Sequence, residues 1–421
     1  MNSDLKNRIL LTLLILLIYR IGTFIPVPGI DYVVIEKFFN SETGSIFDMV
    51  NMFSGGALSR MSIFALGIMP YITASIIMQL MSSVSKTFSS LKKEGEYGRK
   101  KINQYTRYLT IILCFVQAVG VYYALNNMEE SAFISDSQIF FWTTTFSLVG
   151  GTVILMWFGE RITSSGIGNG ISLIIFIGII SEFPSMFVRI LELSKSGVYS
   201  WLVVILLLAF FIGFIFFITF IEKIVRKIKI QYPNRGMMIS SGMSDSSFLP
   251  LKLNMSGVIP PIFASSILMF PTVVSQFVSE DTGTFLSSLM SRGSILYFLF
   301  FGGLIAFFTF FYSSIIFNTE EVSDNLKKGN AFIPGVRPGK TTAEYLDTLI
   351  MRLTTLGAIY LVFVCIVPEF LMTKYSIPLA FGGTGILIVV NVITDLINQI
   401  QSYLFADMYK NMSKKRKIRV R

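Results

Sequence analysis

Apolar runs recur along this chain with few charges inside them, and nothing else constrains its fold as strongly. Ten such segments can be counted, at roughly residues 9–25, 67–84, 108–125, 140–159, 171–190, 201–221, 258–278, 295–317, 349–367 and 377–405. A helix of about 20 apolar residues crosses the hydrocarbon core of a bilayer. The chain is 53% hydrophobic and only 14% charged, whereas soluble domains carry about a quarter charged residues. It is therefore read as an all-α integral membrane protein with ten transmembrane helices. Lys6 and Arg8 ahead of the first run imitate a signal peptide. Pro26-Val-Pro-Gly29 follows in place of a small-residue cleavage site, so a retained first span is expected.

Lys and Arg set the orientation. They crowd the loops after the second, sixth and eighth segments and the C-terminal tail, while the intervening loops carry Glu129, Glu130, Asp136, Glu280 and Asp281. Both termini are then expected in the cytoplasm. The balance of 35 basic to 25 acidic residues gives a net charge of +10, which this topology largely explains.

The stretch from Phe53 to Gln79 organises the rest. Gly55 to Ala65 is glycine-led, contains Arg60 and is too short and polar to span a membrane. Gly67-Ile-Met-Pro70 then leads into an apolar helix. Irregular backbone at membrane depth survives only where protein or a cavity backs it, so a re-entrant segment entering a half-broken span is predicted. Pro260-Pro261 falls in the seventh segment as Pro70 falls in the second. Proline-broken spans at matching positions point to a site between two pseudo-symmetric five-helix halves. The expected division is residues 1–193 with a plug at 54–66, a hinge at 194–200, residues 201–405 with loops at 222–253 and 318–348, and a basic tail at 406–421.

Catalysis finds no support. The chain has no histidine, which removes imidazole bases and ligands. Cys114 and Cys365 each sit inside an apolar run and read as packing residues without a disulfide. Gly335-Val-Arg-Pro-Gly339-Lys340-Thr341 misses the phosphate-binding loop pattern because Pro334 stands where glycine is needed. Gly166-Ile-Gly168-Asn-Gly170 has the wrong spacing for a dinucleotide fingerprint and reads as a tight turn opening the fifth span. No metal site, cofactor or catalytic residue is expected.

Two features go beyond topology. The loops at 222–253 and 318–348 are long, and the first reads as basic and helical from Glu222 to Gln231. Both suit docking to an acidic or RNA-containing partner. Ile68 and Ile72 lie one helical turn apart, as do Ile171 and Ile175. Such pairs ordinarily pack or face lipid, but a ring of aliphatic side chains can also close a pore by dewetting.

The chain resembles the SecY family, the channel subunit of the bacterial Sec protein-translocation machinery. The resemblance is carried by Ile25-Pro-Val-Pro-Gly-Ile-Asp31, the stretch from Phe53 to Gln79, Lys92-Lys-Glu-Gly-Glu96 and Gln104-Tyr-Thr-Arg-Tyr108. It continues through Gly166-Ile-Gly-Asn-Gly-Ile171, Gly257-Val-Ile-Pro-Pro-Ile-Phe-Ala-Ser-Ser266, Asp324-Asn-Leu-Lys-Lys328, Phe332-Ile-Pro-Gly-Val-Arg-Pro-Gly339 and Phe381-Gly-Gly-Thr384. It implies a channel for unfolded precursors that also releases apolar helices sideways into lipid, and it implies no enzyme. By motif, the pore ring falls on Ile68, Ile72, Ile171, Ile175, Ile262 and Ile388, and the plug begins Ser54, Gly55, Gly56, Ala57, Leu58, Ser59, Arg60. Thr73, Gln117 and Phe270 would line a lateral gate between the second and third spans and the seventh and eighth. Arg337, Pro338, Gly339, Lys327, Lys328 and Arg235 would dock a SecA motor or the RNA of a ribosome. Met237 and Met238 stand where the family commonly has a basic pair. The implied partners are SecE-like and SecG-like small membrane subunits, signal peptides, precursors and the lipid bilayer, and the implied location is the bacterial plasma membrane. The rival reading is a secondary transporter built on inverted repeats, which the sparse carboxylates inside the spans disfavour.

Overall fold

The computed structural model describes residues 3–30, 35, 51–126, 137–197, 199–232, 247–275, 294–375 and 382–419. These residues form an all-α framework with one small hairpin. In chain order the helices are α1 (Ser3–Gly22), α2 (Met69–Val84), α3 (Lys86–Lys93), α4 (Glu96–Asn126), α5 (Ser137–Ser165), α6 (Gly170–Lys195) and α7 (Trp201–Glu222). The hairpin β1 (Val225–Ile230) and β2 (Ser247–Lys252) follows, then α8 (Ile259–Ser275), α9 (Ile295–Ile316), α10 (Thr319–Lys328), α11 (Lys340–Tyr375) and α12 (Gly383–Arg419).

Among the described residues, seven helical stretches are long and apolar enough to cross a membrane: α4, α5, α6, α7, a stretch running from α9 into α10, α11 and α12. At the other three expected positions stand α1 and two shorter apolar helices, α2 and α8. Helix α7 shows why these segments belong in lipid. It is apolar on every side, yet only Val204, Phe214, Ile218 and Glu222 are buried. In water such a surface would drive association, but in a bilayer the acyl chains cover it.

The helices pack in an ordered chain of contacts. Helix α2 lies on α4, α4 on α5, α5 on α6, and α1 against α5 and α6. Later in the chain α8 lies on α9, α9 on α11 and α11 on α12. Helix α12 also meets α6 and α7, and α8 meets α2. The main apolar cluster runs through both sets, from Tyr19, Phe64 and Leu155 to Phe301, Leu361 and Leu387.

Two expectations need correction. The prolines do not break their spans. Pro70 occupies the first turn of α2, and Pro260 and Pro261 the first turn of α8. A proline there removes an N–H that has no intrahelical partner anyway. What precedes each helix is a left-handed glycine, Gly67 at φ 56° and Gly257 at φ 63°. The pattern Gly-x-x-Pro thus starts a helix twice, at Gly67 and at Gly257. The second correction concerns residues 225–230, which are a strand and not a helix. Val225 pairs with Lys252 and Ile230 with Ser247, antiparallel throughout. The alternation Ile228-Lys229-Ile230 has the strand period of two, burying Ile228 and Ile230. Pro250 is tolerated in β2 because, among the described residues, the sheet has only these two strands.

Helix starts at Gly170 and Gly383 show a second matched pair. A Cβ on Gly170 would overlap the Gly159 carbonyl oxygen of α5, and one on Gly383 would overlap the Val364 carbonyl oxygen of α11. Each helix therefore begins directly against the backbone of the preceding one. Gly170→Ala and Gly383→Ala are each expected to lower the thermal midpoint of the detergent-purified protein, since overpacking of this kind costs about 1–3 kcal/mol. Gly303→Ala, with no atom within 4 Å of the added carbon, should leave that midpoint unchanged in the same melts.

Candidate functional site

A short helical turn ends at Ser54; from Gly55 to Ile68 the chain runs as turns, with a bend at Gly56 and a bridge at Ser62, and it is held from several sides. Gly55 and Gly56 have φ of 68° and 77°, values open to glycine at little cost. They also need the space. A Cβ on Gly55 would stand 2.8 Å from the Gly178 Cα of α6, and one on Gly56 would meet the Glu182 carboxylate. Gly178 returns the constraint, because its own Cβ would lie 2.9 Å from the Phe53 carbonyl oxygen. The segment thus seats glycine against glycine.

Helix α1 grips the same backbone. The Tyr19 hydroxyl donates to the Ser54 carbonyl at 3.2 Å, and Arg20 Nη1 donates to the Gly55 carbonyl at 2.8 Å. The Ser59 N–H donates to Asn51 Oδ1 at 2.9 Å. Beyond α1, the Val27 N–H donates to the Met61 carbonyl at 2.9 Å and the Ile63 N–H to the Ile25 carbonyl at 3.0 Å. The Pro-Val-Pro stretch that stood out in the sequence is therefore a bridge partner of this segment. Arg20 and Arg60 both approach the Phe24 ring, at 4.8 and 4.2 Å from its centroid. Ala57 and Ala65 are fully buried.

All six singled-out isoleucines share one apolar cluster. Ile68, Ile72, Ile175 and Ile388 are buried within it, and Ile171 and Ile262 are partly buried and pack against it. They come from the turn before α2 and from α2, α6, α8 and α12. Their positions repeat in pairs. Ile72 and Ile262 each stand five residues after a left-handed glycine, Gly67 and Gly257, while Ile175 and Ile388 each stand five residues after the glycine that opens a helix, Gly170 and Gly383. The helix starts described above thus decide where these side chains meet.

The remaining residues are spread more widely. Thr73 is half-buried on α2 and donates to the Met69 carbonyl at 3.1 Å, and Gln117 is half-buried on α4. Phe270 lies on the backbone of α8, and its side chain is outside the described ones. Arg235, Met237 and Met238 lie outside the described residues. Arg337, Pro338, Lys327 and Lys328 are exposed. The tip carrying Arg337 is rigid: Thr342 Oγ1 donates to the Arg337 carbonyl at 2.8 Å and Ser323 Oγ to the Gly339 carbonyl at 2.7 Å. Gln231 and Phe332 exchange backbone hydrogen bonds at 2.9 and 3.0 Å, joining the hairpin to this tip. Ile228, Leu251, Ile333, Leu346, Leu349, Ile350 and Leu353 form a small core beneath them. The two long loops are therefore one unit, which their separation in sequence concealed.

Comparison with known proteins fits this arrangement. The SecY family model matches residues 62–397. The chain belongs to the SecY family. The protein translocase subunit SecY of Rickettsia bellii is 50% identical over 425 residues, covering 99% of this chain and 98% of the relative. The Escherichia coli K12 subunit of that name is 45% identical over 419 residues, covering 98% and 95%. Among solved structures, a protein-conducting channel superposes with a TM-score of 0.69 at 19% identity, covering 96% of this chain and 93% of that one. Sec61 in the canine ribosome–channel complex from the endoplasmic reticulum gives 0.63 at 17% identity, with the same coverage. At such identities the likeness shows the fold.

Sequence reasoning missed two residues that hold this candidate site. Tyr19 and Gly178 carry no local signal, because a tyrosine or glycine in a span is ordinary. Arg20 did carry one, as a cation inside an apolar run, where ionisable residues are rare and find partners in protein. A charge-assisted hydrogen bond contributes roughly 1.5–3 kcal/mol. Arg20→Ala should therefore loosen the Ser54–Arg60 turns. With Cys114 and Cys365 replaced by serine, a reporter Ala57→Cys is expected to react with maleimide about tenfold faster in the Arg20→Ala background.

Proposed function

We propose that this chain conducts unfolded polypeptides across the membrane through the meeting point of its six isoleucines. The observation that carries the proposal is the convergence of Ile68, Ile72, Ile171, Ile175, Ile262 and Ile388, from elements distant in sequence, in one apolar cluster beside a separately tethered glycine-led segment. The chain is a channel subunit of a protein translocase, and the chemistry agrees. Aliphatic side chains offer no ligand to a small polar substrate and no proton path. They exclude water and ions when closed, and they can yield to a passing chain whatever its sequence. A coupled transporter would need carboxylates at this point.

The finer assignments belong to the same reading. Residues 1–193 and 201–405 act as two halves about a hinge at 194–200. Ser54–Leu66 is the plug that fills the closed pore. The lateral gate opens where α2 meets α8, with Thr73, Gln117 and Phe270 along it, and releases apolar helices into lipid. The tip with Arg337, Pro338 and Gly339, together with Lys327, Lys328 and Arg235, docks a SecA motor or ribosomal RNA. Its exposed cations beside a rigid turn suit a phosphate-rich or acidic surface. SecE-like and SecG-like subunits complete the assembly. The location is the bacterial plasma membrane, with both termini cytoplasmic, as the side bearing the basic loops requires.

Crosslinking in reconstituted vesicles tests the reading. Cys114 and Cys365 are replaced by serine, Ile72→Cys is introduced, and a secretory precursor carrying one cysteine is stalled in passage with SecA and ATP. A disulfide between the precursor and position 72 is expected. None should form with Leu206→Cys on α7, which is 62% exposed on the outer surface of that helix. Equal adducts at both positions, or none at position 72 with the precursor still bound, would reject this path.

A further inference from the structure

The two Gly-x-x-Pro turns are alike in conformation but anchored in different ways. Gly67 leans on the plug segment: a Cβ there would stand 3.4 Å from the Ser54 side chain, and the Gly67 N–H donates to the Phe64 carbonyl. Gly257 is held instead by one side chain, Asn254. Asn254 Nδ2 donates to the Gly257 carbonyl at 3.1 Å, and Asn254 Oδ1 accepts from the Gly257 N–H at 3.1 Å. The second Nδ2 hydrogen goes to Glu222 Oε1 at 2.8 Å, and Oδ1 also accepts from Ser256 Oγ at 3.0 Å. An asparagine amide has two donor hydrogens and two acceptor lone pairs, and here all four are used. Its orientation is therefore fully determined.

Glu222 is an improbable residue for its place. It ends α7, where a negative charge opposes the helix dipole. It is buried, where a carboxylate loses its hydration. Lys252 of β2 and Asp395 of α12 lie within its electrostatic reach. The Tyr360 hydroxyl of α11 sits against it without a hydrogen bond of good geometry. Nearby the Leu253 N–H donates to the Ile224 carbonyl at 3.1 Å, and Gly357 of α11 lets the helix pass close to the Leu253 and Asn254 backbone. The pair is thus wedged between the end of α7, the hairpin and α11.

We propose that Glu222 and Asn254 form the fixed pivot of α8: they hold the turn at Gly257 in place while the rest of α8, with Ile262, swings to open the lateral gate. The corresponding turn at Gly67 rests on the plug and moves with it. The gate then has one anchored helix and one released helix, and the threshold for opening is set where α8 is anchored. The inference rests on the channel reading above and assigns Glu222 and Asn254 as positioning residues within it.

The test uses the complete reconstituted translocase and two precursors, one with an intact signal peptide and one with a charge placed in its apolar core. The readout is the ratio of export of the defective to the intact precursor, with membrane levels and thermal midpoints measured alongside. Glu222→Leu removes the acceptor, and Asn254→Asp sets a second carboxylate against the first. Each is expected to raise the ratio about tenfold. Ser256→Ala, which removes only one donor to Asn254 Oδ1 and is the mildest change, should raise it by a smaller factor. Glu222→Gln keeps a carbonyl acceptor for Asn254 Nδ2 and should stay near the unaltered ratio. An unchanged ratio in Asn254→Asp and Ser256→Ala would overturn the pivot, and so would a Glu222→Gln variant as permissive as Glu222→Leu. If Glu222→Leu fails to accumulate, the other three variants decide the matter on the same criteria. Absence of export of the intact precursor by the unaltered complex would instead overturn the channel reading, and the pivot with it.

Discussion

Everything in this structure depends on the rule that a backbone polar group at membrane depth must find its partner within the protein. Helices satisfy the rule by themselves. The segment between Gly55 and Ile68 does not, and so it is held by donors and acceptors from α1 and the Pro-Val-Pro bridge and packed closely against α6. Its tethers are hydrogen bonds to backbone carbonyls, close glycine contacts at Gly55 and Gly56, and the buried side chains of Leu58, Met61, Phe64 and Leu66.

Glycine sets the geometry of the site. Gly67 and Gly257 turn the chain in the left-handed region, and Gly170 and Gly383 let a helix start on the backbone of its neighbour. Each fixes a register, and each register delivers an isoleucine to the shared cluster five residues later. The placement of four of the six side chains, Ile72, Ile175, Ile262 and Ile388, is therefore a consequence of backbone contacts. Substituting an isoleucine changes the cluster, whereas substituting one of these glycines shifts the residues that form it.

The basic side of the molecule follows ordinary soluble-protein logic. The hairpin, the tip at Arg337 and the start of α11 enclose their own apolar core. This small domain presents Arg337, Lys327 and Lys328 on a surface braced by side-chain hydrogen bonds to the Arg337 and Gly339 carbonyls. Cations on such a surface keep their spacing, which a free loop would not ensure.

Much of this was legible in the residues. Hydropathy alone places the seven long apolar helical stretches and marks the positions of α1, α2 and α8, because the apolar and polar segments differ by more than any local ambiguity, and the Lys and Arg content of the loops implies a topology. The Gly-Pro stretch announced irregular backbone. The strand at 225–230 was misread because a run of basic residues hid the period-two alternation of Ile228 and Ile230. What the sequence by itself determined is therefore the membrane class, the order of the spans and the family. Only the tertiary structure decided that Tyr19 and Arg20 hold the backbone at Ser54 and Gly55, that Gly178 makes room for Gly55, and that Glu222 reaches Asn254. Those contacts join residues 32 to 123 positions apart. They depend on how packed helices bring distant backbone together, and no local pattern of residues encodes that distance.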